Sequence, residues 1–257
     1  MNAAGNRIAL QTIVSREINR ILRIWGQTLV PPAITMTLYF VIFGNLIGSR
    51  IGEMHGMRYI DFIVPGLIMM AVIQNSYGNI VSSFFGAKFQ RFIEELLVSP
   101  TPNWVILTGY TIGAVSRGLM VGTIVVIVAM CFTSVRIAHP LVTVATLLLT
   151  SMMFAFAGFI NAVYAKKFDD ISIVPTFILT PLTYLGGVFY SVSLLPPFWE
   201  RLSHLNPILY TVNAFRYGLL GVSDVPLATA FAVMIGFTVV LGAVSMHLLV
   251  KGVGLRA

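Results

Sequence analysis

Little in this 257-residue chain could do covalent chemistry. Cys131 is its one thiol, which excludes an intrachain disulfide and a metal cage built from cysteines. The four histidines (His55, His139, His204 and His247) are scattered without metal-ligand spacing. No GxxxxGK(S/T) loop is present to cradle a nucleotide. The nearest string, Gly44-Asn45-Leu46-Ile47-Gly48-Ser49-Arg50, lacks both the spacing and the lysine. Glu17, Glu53, Asp61, Glu94, Glu95, Asp169, Asp170, Glu200 and Asp224 sit in connecting segments or at the edges of apolar runs. They form no acid–base pair. A proton-driven carrier keeps ionisable groups deep within its spans, and only Arg117 and His247 are candidates here, with His247 near the end of its run. The sequence therefore points away from an enzyme. It assigns this chain no catalytic residue, metal or cofactor.

The elements around these residues belong in lipid. The chain is 57% hydrophobic and 10% charged, with a mean hydropathy of +0.90. A soluble domain carries about 25% charge, so there is too little polar surface here to clothe a globule in water. Six apolar runs are long enough, or nearly so, to span a bilayer: 27–47, 60–85, 105–132, 141–164, 171–190 and 226–250. Backbone groups in lipid must bond internally, and runs this continuous are helices. The expected class is all-α and polytopic. No linker or low-complexity run divides it, so 1–257 reads as one transmembrane domain. No signal peptide is expected, because no short apolar core with a small-residue cleavage site opens the chain.

Lysine and arginine set the expected orientation. The net charge of +7 lies at the margins of the apolar runs, as in membrane proteins rather than nucleic-acid binders. With both termini in the cytoplasm, ten basic residues fall inside (Arg7, Arg16, Arg20, Arg23, Lys88, Arg91, Lys166, Lys167, Lys251, Arg256) and five outside (Arg50, Arg58, Arg136, Arg201, Arg216). The segment before the first run predicts a basic amphipathic helix in the headgroup plane. Val14, Ile18, Ile21, Leu22 and Trp25 make its apolar face, and Arg16, Asn19, Arg20 and Arg23 the other. Between runs two and three, Phe89, Phe92, Ile93, Leu96 and Leu97 fall at i, i+3, i+4, i+7 and i+8. That spacing predicts a short cytoplasmic helix with a single apolar stripe, rimmed by Arg91, Glu94 and Glu95. Between runs five and six, aromatics such as Phe189 and Trp199 alternate with the proline breaks Pro196-Pro197 and Asn206-Pro207. Non-helical backbone at membrane depth needs protein or a wet cavity around it, so this stretch predicts short re-entrant helices on the outer side.

Two features inside the runs bear on transport. Arg117 lies thirteen residues past Trp104, about 20 Å deep in a helix rising straight from there. Either it snorkels to the inner headgroups or it is a buried functional charge. Run five is interrupted by Pro175 and Pro181 and carries Thr176, Thr180 and Thr183. Such a kinked, hydroxyl-bearing helix suits a transport path, and equally suits a structural kink with threonines bonded to their own helix. Thr176, Thr180 and Tyr184 share one face at i, i+4, i+8. A short echo also relates Val64-Pro65-Gly66-Leu67-Ile68 to Val174-Pro175-Thr176-Phe177-Ile178, as in an inverted repeat.

At these residues the chain resembles a family. Glu94-Glu95-Leu96-Leu97-Val98-Ser99-Pro100 is similar to the E-x-L-L-V-S/T-P string after span two of type-2 ABC exporter permeases. Pro181, Gly187, Pro196, Trp199, Asn206-Pro207 and Arg216 resemble that family's signature around span five and the re-entrant region. Arg91-Phe92-Ile93 departs from the Gly-Thr pair often found before the first glutamate. The resemblance implies a bacterial inner-membrane half-transporter that pairs as a homodimer. Each copy would dock a separate ATPase subunit, which supplies ATP and Mg, through the helix around Phe92. The substrate path would lie near the dimer axis, lined partly by spans two and five, with Thr176, Thr180 and Tyr184 facing it. Drugs, glycolipids and polysaccharides are all substrates within the family. The rival classes are a proton-coupled carrier and an ATP-independent channel or membrane scaffold.

Overall fold

The computed structural model describes residues 2–54 and 56–254, except the side chain of Asn45; His55 and Arg256 lie outside the described residues. It is a helical bundle. An N-terminal helix, Ala3–Arg23, leads into span one, Trp25–Ile51. Span two is Tyr59–Phe89, span three Asn103–Met130, span four Pro140–Tyr164 and span six Leu227–Lys251. All five are long and apolar enough to cross a membrane.

The fifth expected span is shorter than 171–190. Its helix is Asp170–Leu185, about 24 Å at 1.5 Å per residue against a hydrocarbon core of about 30 Å. Gly186 and Gly187 end it, with Gly187 at φ +69°. The all-α class holds, with one two-residue antiparallel ladder, Glu53–Met54 with Met57–Arg58, in the connection before span two.

Span two is the axis of the bundle. In its most apolar window 83% of residues are buried, against 12% in span one and 17% in span six, which therefore lie on the periphery. Spans three and four both pack on it and also touch each other. Phe62, Leu67 and Val72 of span two join Val121, Val125 and Phe215 in one apolar cluster, and Phe84 and Phe85 join Tyr110 and Phe159 in a second. Burial on this scale is what holds the bundle once lipid covers its outside, because lipid tails offer no hydrophobic drive between helices and close packing must serve instead.

Glycine permits the tightest of these approaches. A methyl group on Gly66 would overlap the Val188 carbonyl oxygen and lie 2.8 Å from the Val188 Cα. Span two is thus pressed against the backbone of the turn after span five. Pro65, beside it, sits within an unbroken α-helix, whereas Pro175 opens a π-helical turn, Pro175–Leu179. The two proline strings of the sequence echo therefore have different backbones.

The N-terminal helix corrects the expected apolar face. Its buried residues are Ile13, Glu17 and Ile21, so the expected Ile21 is buried but the rest of the buried face lies one position before Val14 and Ile18. Leu22 and Trp25 are instead 52% and 61% exposed. The helix lies on span three, where Cβ atoms at Gly109 and Gly113 would come within 2.6 Å of the Ile13 and Glu17 side chains. Both ends of the described chain meet at this end of the bundle: Gly254 packs on the last turn of span four beside Lys88.

Candidate functional site

The termini end of the bundle carries the helix that the sequence singled out, in altered form. Span two continues through Phe89, and the chain then breaks at Gln90 and Arg91 before a seven-residue helix, Phe92–Val98. Arg91 is left-handed (φ 62°, ψ 6°), a conformation that costs a non-glycine residue about 1–2 kcal/mol. The break explains why the expected single stripe is divided. Ile93 is 1% exposed and packs with Phe84, Phe85, Val105 and Ile106, with Leu96 and Leu97 against the same cluster. Phe92 is 54% exposed and faces away, as does Val98. Phe89, left behind on span two, is exposed too and stands 4.8 Å from Phe168 of the following connection. Glu94 and Glu95 occupy the first turn of the short helix, where acidic side chains complement the backbone dipole. The Ser99 hydroxyl closes its end by donating to the Leu96 carbonyl at 2.6 Å.

This surface is mounted rigidly. The Lys88 ammonium donates to the carbonyls of Val163 and Ala165 at 2.6 and 2.7 Å, tying the end of span two to the end of span four. A second clasp joins the N-terminal helix to the bundle. The Glu17 carboxylate, 1% exposed, accepts from the Ser83 hydroxyl at 2.6 Å and from Arg20 at 3.1 Å. Arg20 also donates to Asn79 at 2.8 Å, and Arg16 to the Tyr110 hydroxyl at 2.6 Å. Arg23 is exposed. Sequence reading placed Glu17 outside the bundle. The signal for its burial was Ile13 and Ile21 at i−4 and i+4, which put the carboxylate on the apolar side.

Span five presents a mixed face. Thr176 and Tyr184 are exposed and Thr180 is partly so, while Leu179 and Thr183 turn inward. The hydroxyls of Thr180 and Thr183 donate to the Pro175 and Leu179 carbonyls at 2.9 and 2.7 Å. Both threonines thus bond back to their own helix, and the open face offers mainly carbon and the Tyr184 ring. Span two contributes a strip that sequence reading missed. Gln74 and Ser82 are exposed and Gly78 between them partly so, at i, i+4 and i+8 on a helix whose middle is mostly buried. Arg117 is partly buried in span three, and its Nε is sealed from solvent with no hydrogen-bond partner among the described residues.

At the opposite end two helices stand between spans five and six, Pro197–His204 and Pro207–Leu220. Pro196 precedes the first, which exposes Phe198 and Trp199. Asn206 caps the second, accepting from the Ile208 amide at 3.0 Å, and donates to the Leu182 carbonyl of span five at 2.6 Å. Arg216 is 1% exposed. It donates to the Gly187 carbonyl at 2.7 Å, lies 4.0 Å over the Phe62 ring and sits 3.8 Å from the Asp224 carboxylate. Phe189 packs between Tyr39 and Phe43 of span one and Tyr184 of span five. Asn206, Pro207 and Arg216 therefore join one assembly that fastens this cap to spans two and five, whereas Pro196 and Trp199 lie on its outer surface.

Comparison with known proteins agrees with this arrangement. Residues 8–220 match the family model for the ABC-2 type transporter. The chain is 60% identical over 250 residues to the inner membrane transport permease YadH of Escherichia coli K12, covering 97% of this chain and 98% of that one. It is 27% identical over 185 residues to nodulation protein J of Sinorhizobium fredii, covering 72% of this chain and 70% of the relative. Nodulation protein J of Neorhizobium galegae is 23% identical over the same length. A bundle of apolar helices long enough to span, matched nearly end to end by an inner membrane permease, is a transport subunit: the chain belongs to the ABC-2 type transporter family, as a multi-pass permease of the inner membrane.

Proposed function

We propose that this permease is the membrane half of an ATP-driven exporter, working as a homodimer with two copies of a separate ATPase that bind ATP and Mg. The observation that carries the reading is the split stripe. Ile93, Leu96 and Leu97 anchor the short helix to its own bundle, so that Phe92 and Val98 are held outward beside Phe89 and Phe168. An exposed aromatic on a rigid mount fits a groove on a partner. Movement of that partner would pass through Ile93 and Lys88 into spans two and four. The substrate, a lipid, glycan or drug-like molecule, would travel along the Gln74–Gly78–Ser82 strip and the span-five face of Thr176, Thr180 and Tyr184. The two outer helices would close its exit as re-entrant elements.

Orientation is tested with single cysteines in a Cys131→Ser background, since Cys131 is itself exposed. An impermeant maleimide added to intact cells should label position 200 and spare position 90. Labelling at 90 without 200 would invert the assignment and place the Phe92 helix beyond the reach of a cytoplasmic ATPase.

The path is tested by filling it. Thr180→Trp should abolish export with the permease still assembled, because the side chain leaves a partly open face rather than the packed core. Thr176→Trp should act likewise. Undiminished transport by both variants would remove span five from the path. Nucleotide-independent transport by the purified permease would overturn the exporter reading itself.

A further inference from the structure

A cavity of about 520 Å³ opens at the termini end, between the N-terminal helix and the last turns of span two. Arg16, Arg20 and Arg23 line one side, Ser83 and Gln90 the other, and Phe92 stands at its rim. Glu17 also lines it, but that carboxylate is already engaged by Ser83 and Arg20. Three arginines less one glutamate leave a formal charge of +2 around the space. Arg23 is exposed and makes no hydrogen bond among the described residues. Arg16 commits one nitrogen, 2.6 Å from the Tyr110 hydroxyl and 3.6 Å from the Glu17 carboxylate, and is half exposed. Guanidinium groups converging on one space suit a phosphate, whose oxygens accept paired N–H bonds.

The neighbouring surface narrows the ligand class. Ile24 lines the cavity. Next to it Leu22 and Trp25 expose apolar side chains at the head of span one, the least buried of the long helices. A molecule with its phosphate on the arginines could lay hydrocarbon along that surface, which a soluble phosphate would leave unused. We propose that this cavity binds the headgroup phosphate of an anionic glycerophospholipid, with its acyl chains running along Leu22, Trp25 and span one. Phe92 at its rim is shared with the proposed ATPase-docking surface, but lipid binding by the permease alone does not rest on the exporter reading.

The test uses the full-length chain, purified in detergent, stripped of lipid and titrated under native mass spectrometry. The probes are phosphatidylglycerol, phosphatidylcholine with the same acyl chains, and glycerol 3-phosphate. Phosphatidylglycerol should bind about tenfold more tightly than phosphatidylcholine, and Arg23→Gln should weaken it by about fivefold. Arg16→Gln combined with Arg23→Gln should weaken it further. Arg7→Gln, on the same helix but outside the cavity, should change nothing. Equal affinity for the two lipids would overturn the site. Equal losses from Arg7→Gln and Arg23→Gln would replace it with diffuse surface charge. Glycerol 3-phosphate binding as tightly as phosphatidylglycerol would show a soluble ligand and sink the lipid assignment. Unchanged melting temperatures would show that the variants report on binding rather than on folding.

Discussion

Phe92→Asp should strip the ATPase from the purified permease and leave the permease itself folded and inserted. The side chain is 54% exposed and lies outside the apolar clusters that hold its own bundle. Buried aromatic anchors dominate helix-in-groove contacts, at about 2 kcal/mol or more each, roughly 30-fold in affinity. A carboxylate in the same groove adds the cost of desolvating an unpaired charge. Phe92→Ala should therefore weaken association, Phe92→Asp should abolish it, and Glu95→Ala at the rim should do least. Ile93→Asp is the contrasting case. It would place a charge among Phe84, Phe85 and Val105 and should lower the yield of folded permease before any partner is involved. Co-purification of the ATPase with each variant, alongside a melting curve of the permease, separates docking from folding. Full retention of the ATPase by Phe92→Asp, with normal coupled transport, would remove this helix from the docking surface.

Arg216→Met should be the most destabilising single change at the opposite end. The guanidinium holds the Gly187 carbonyl, covers the Phe62 face and offsets Asp224 from a wholly buried position. Methionine fills much of the volume but takes the guanidinium away from beside the carboxylate, and removing one partner of a buried pair costs about 3–5 kcal/mol. Asp224 retains the Val192 amide at 3.3 Å, which holds the side chain without neutralising it. Arg216→Met with Asp224→Asn should recover part of the loss, because the carboxylate charge is then removed together with the guanidinium beside it. Thermal unfolding of the three variants in detergent reads this directly. An unchanged melting temperature for Arg216→Met would mean that the cap is held by its apolar contacts alone.

The sequence was most informative where a single physical rule governs many residues. Length and continuity of apolar runs located the five long helices to within a few residues, because lipid demands an unbroken, internally bonded segment. The sequence was least informative where direction depends on one backbone turn. The i, i+3, i+4 pattern from Phe89 to Leu97 assumed one continuous helix, and the left-handed Arg91 divided it. Nothing in the side-chain pattern marks that angle. Span five was read too long because its apolar character continues past Gly186-Gly187, where the backbone has already turned. Glu17 was misplaced for a different reason. Its charge outweighed its position, although Gly109 and Gly113 on span three, four residues apart, mark the kind of small-residue groove that accepts another helix. Arg216 and Asn206 were found through family resemblance, and their partners Gly187, Leu182 and Asp224 became visible only when the chain was folded.

The π turn at Pro175–Leu179 is also a store of rotation. It exists where Pro181 would otherwise drive its ring into the carbonyl four residues back, and Thr180 meets the widened turn through both its amide and its hydroxyl on the Pro175 carbonyl. A π turn holds one residue more than an α turn, and one residue is about 100° of helical phase. Absorbing or releasing that residue would swing everything beyond it, Tyr184 included, by roughly a quarter turn while the stretch before Pro175 stayed still. Span one carries a longer π segment of its own, Phe40–Ile47, with Phe43 packed against the same Phe189 ring that Tyr184 stacks upon. Two π segments thus bear on one aromatic contact at Phe189, and a shift in either would re-aim the rings by twisting in place rather than by tilting whole helices through the bilayer.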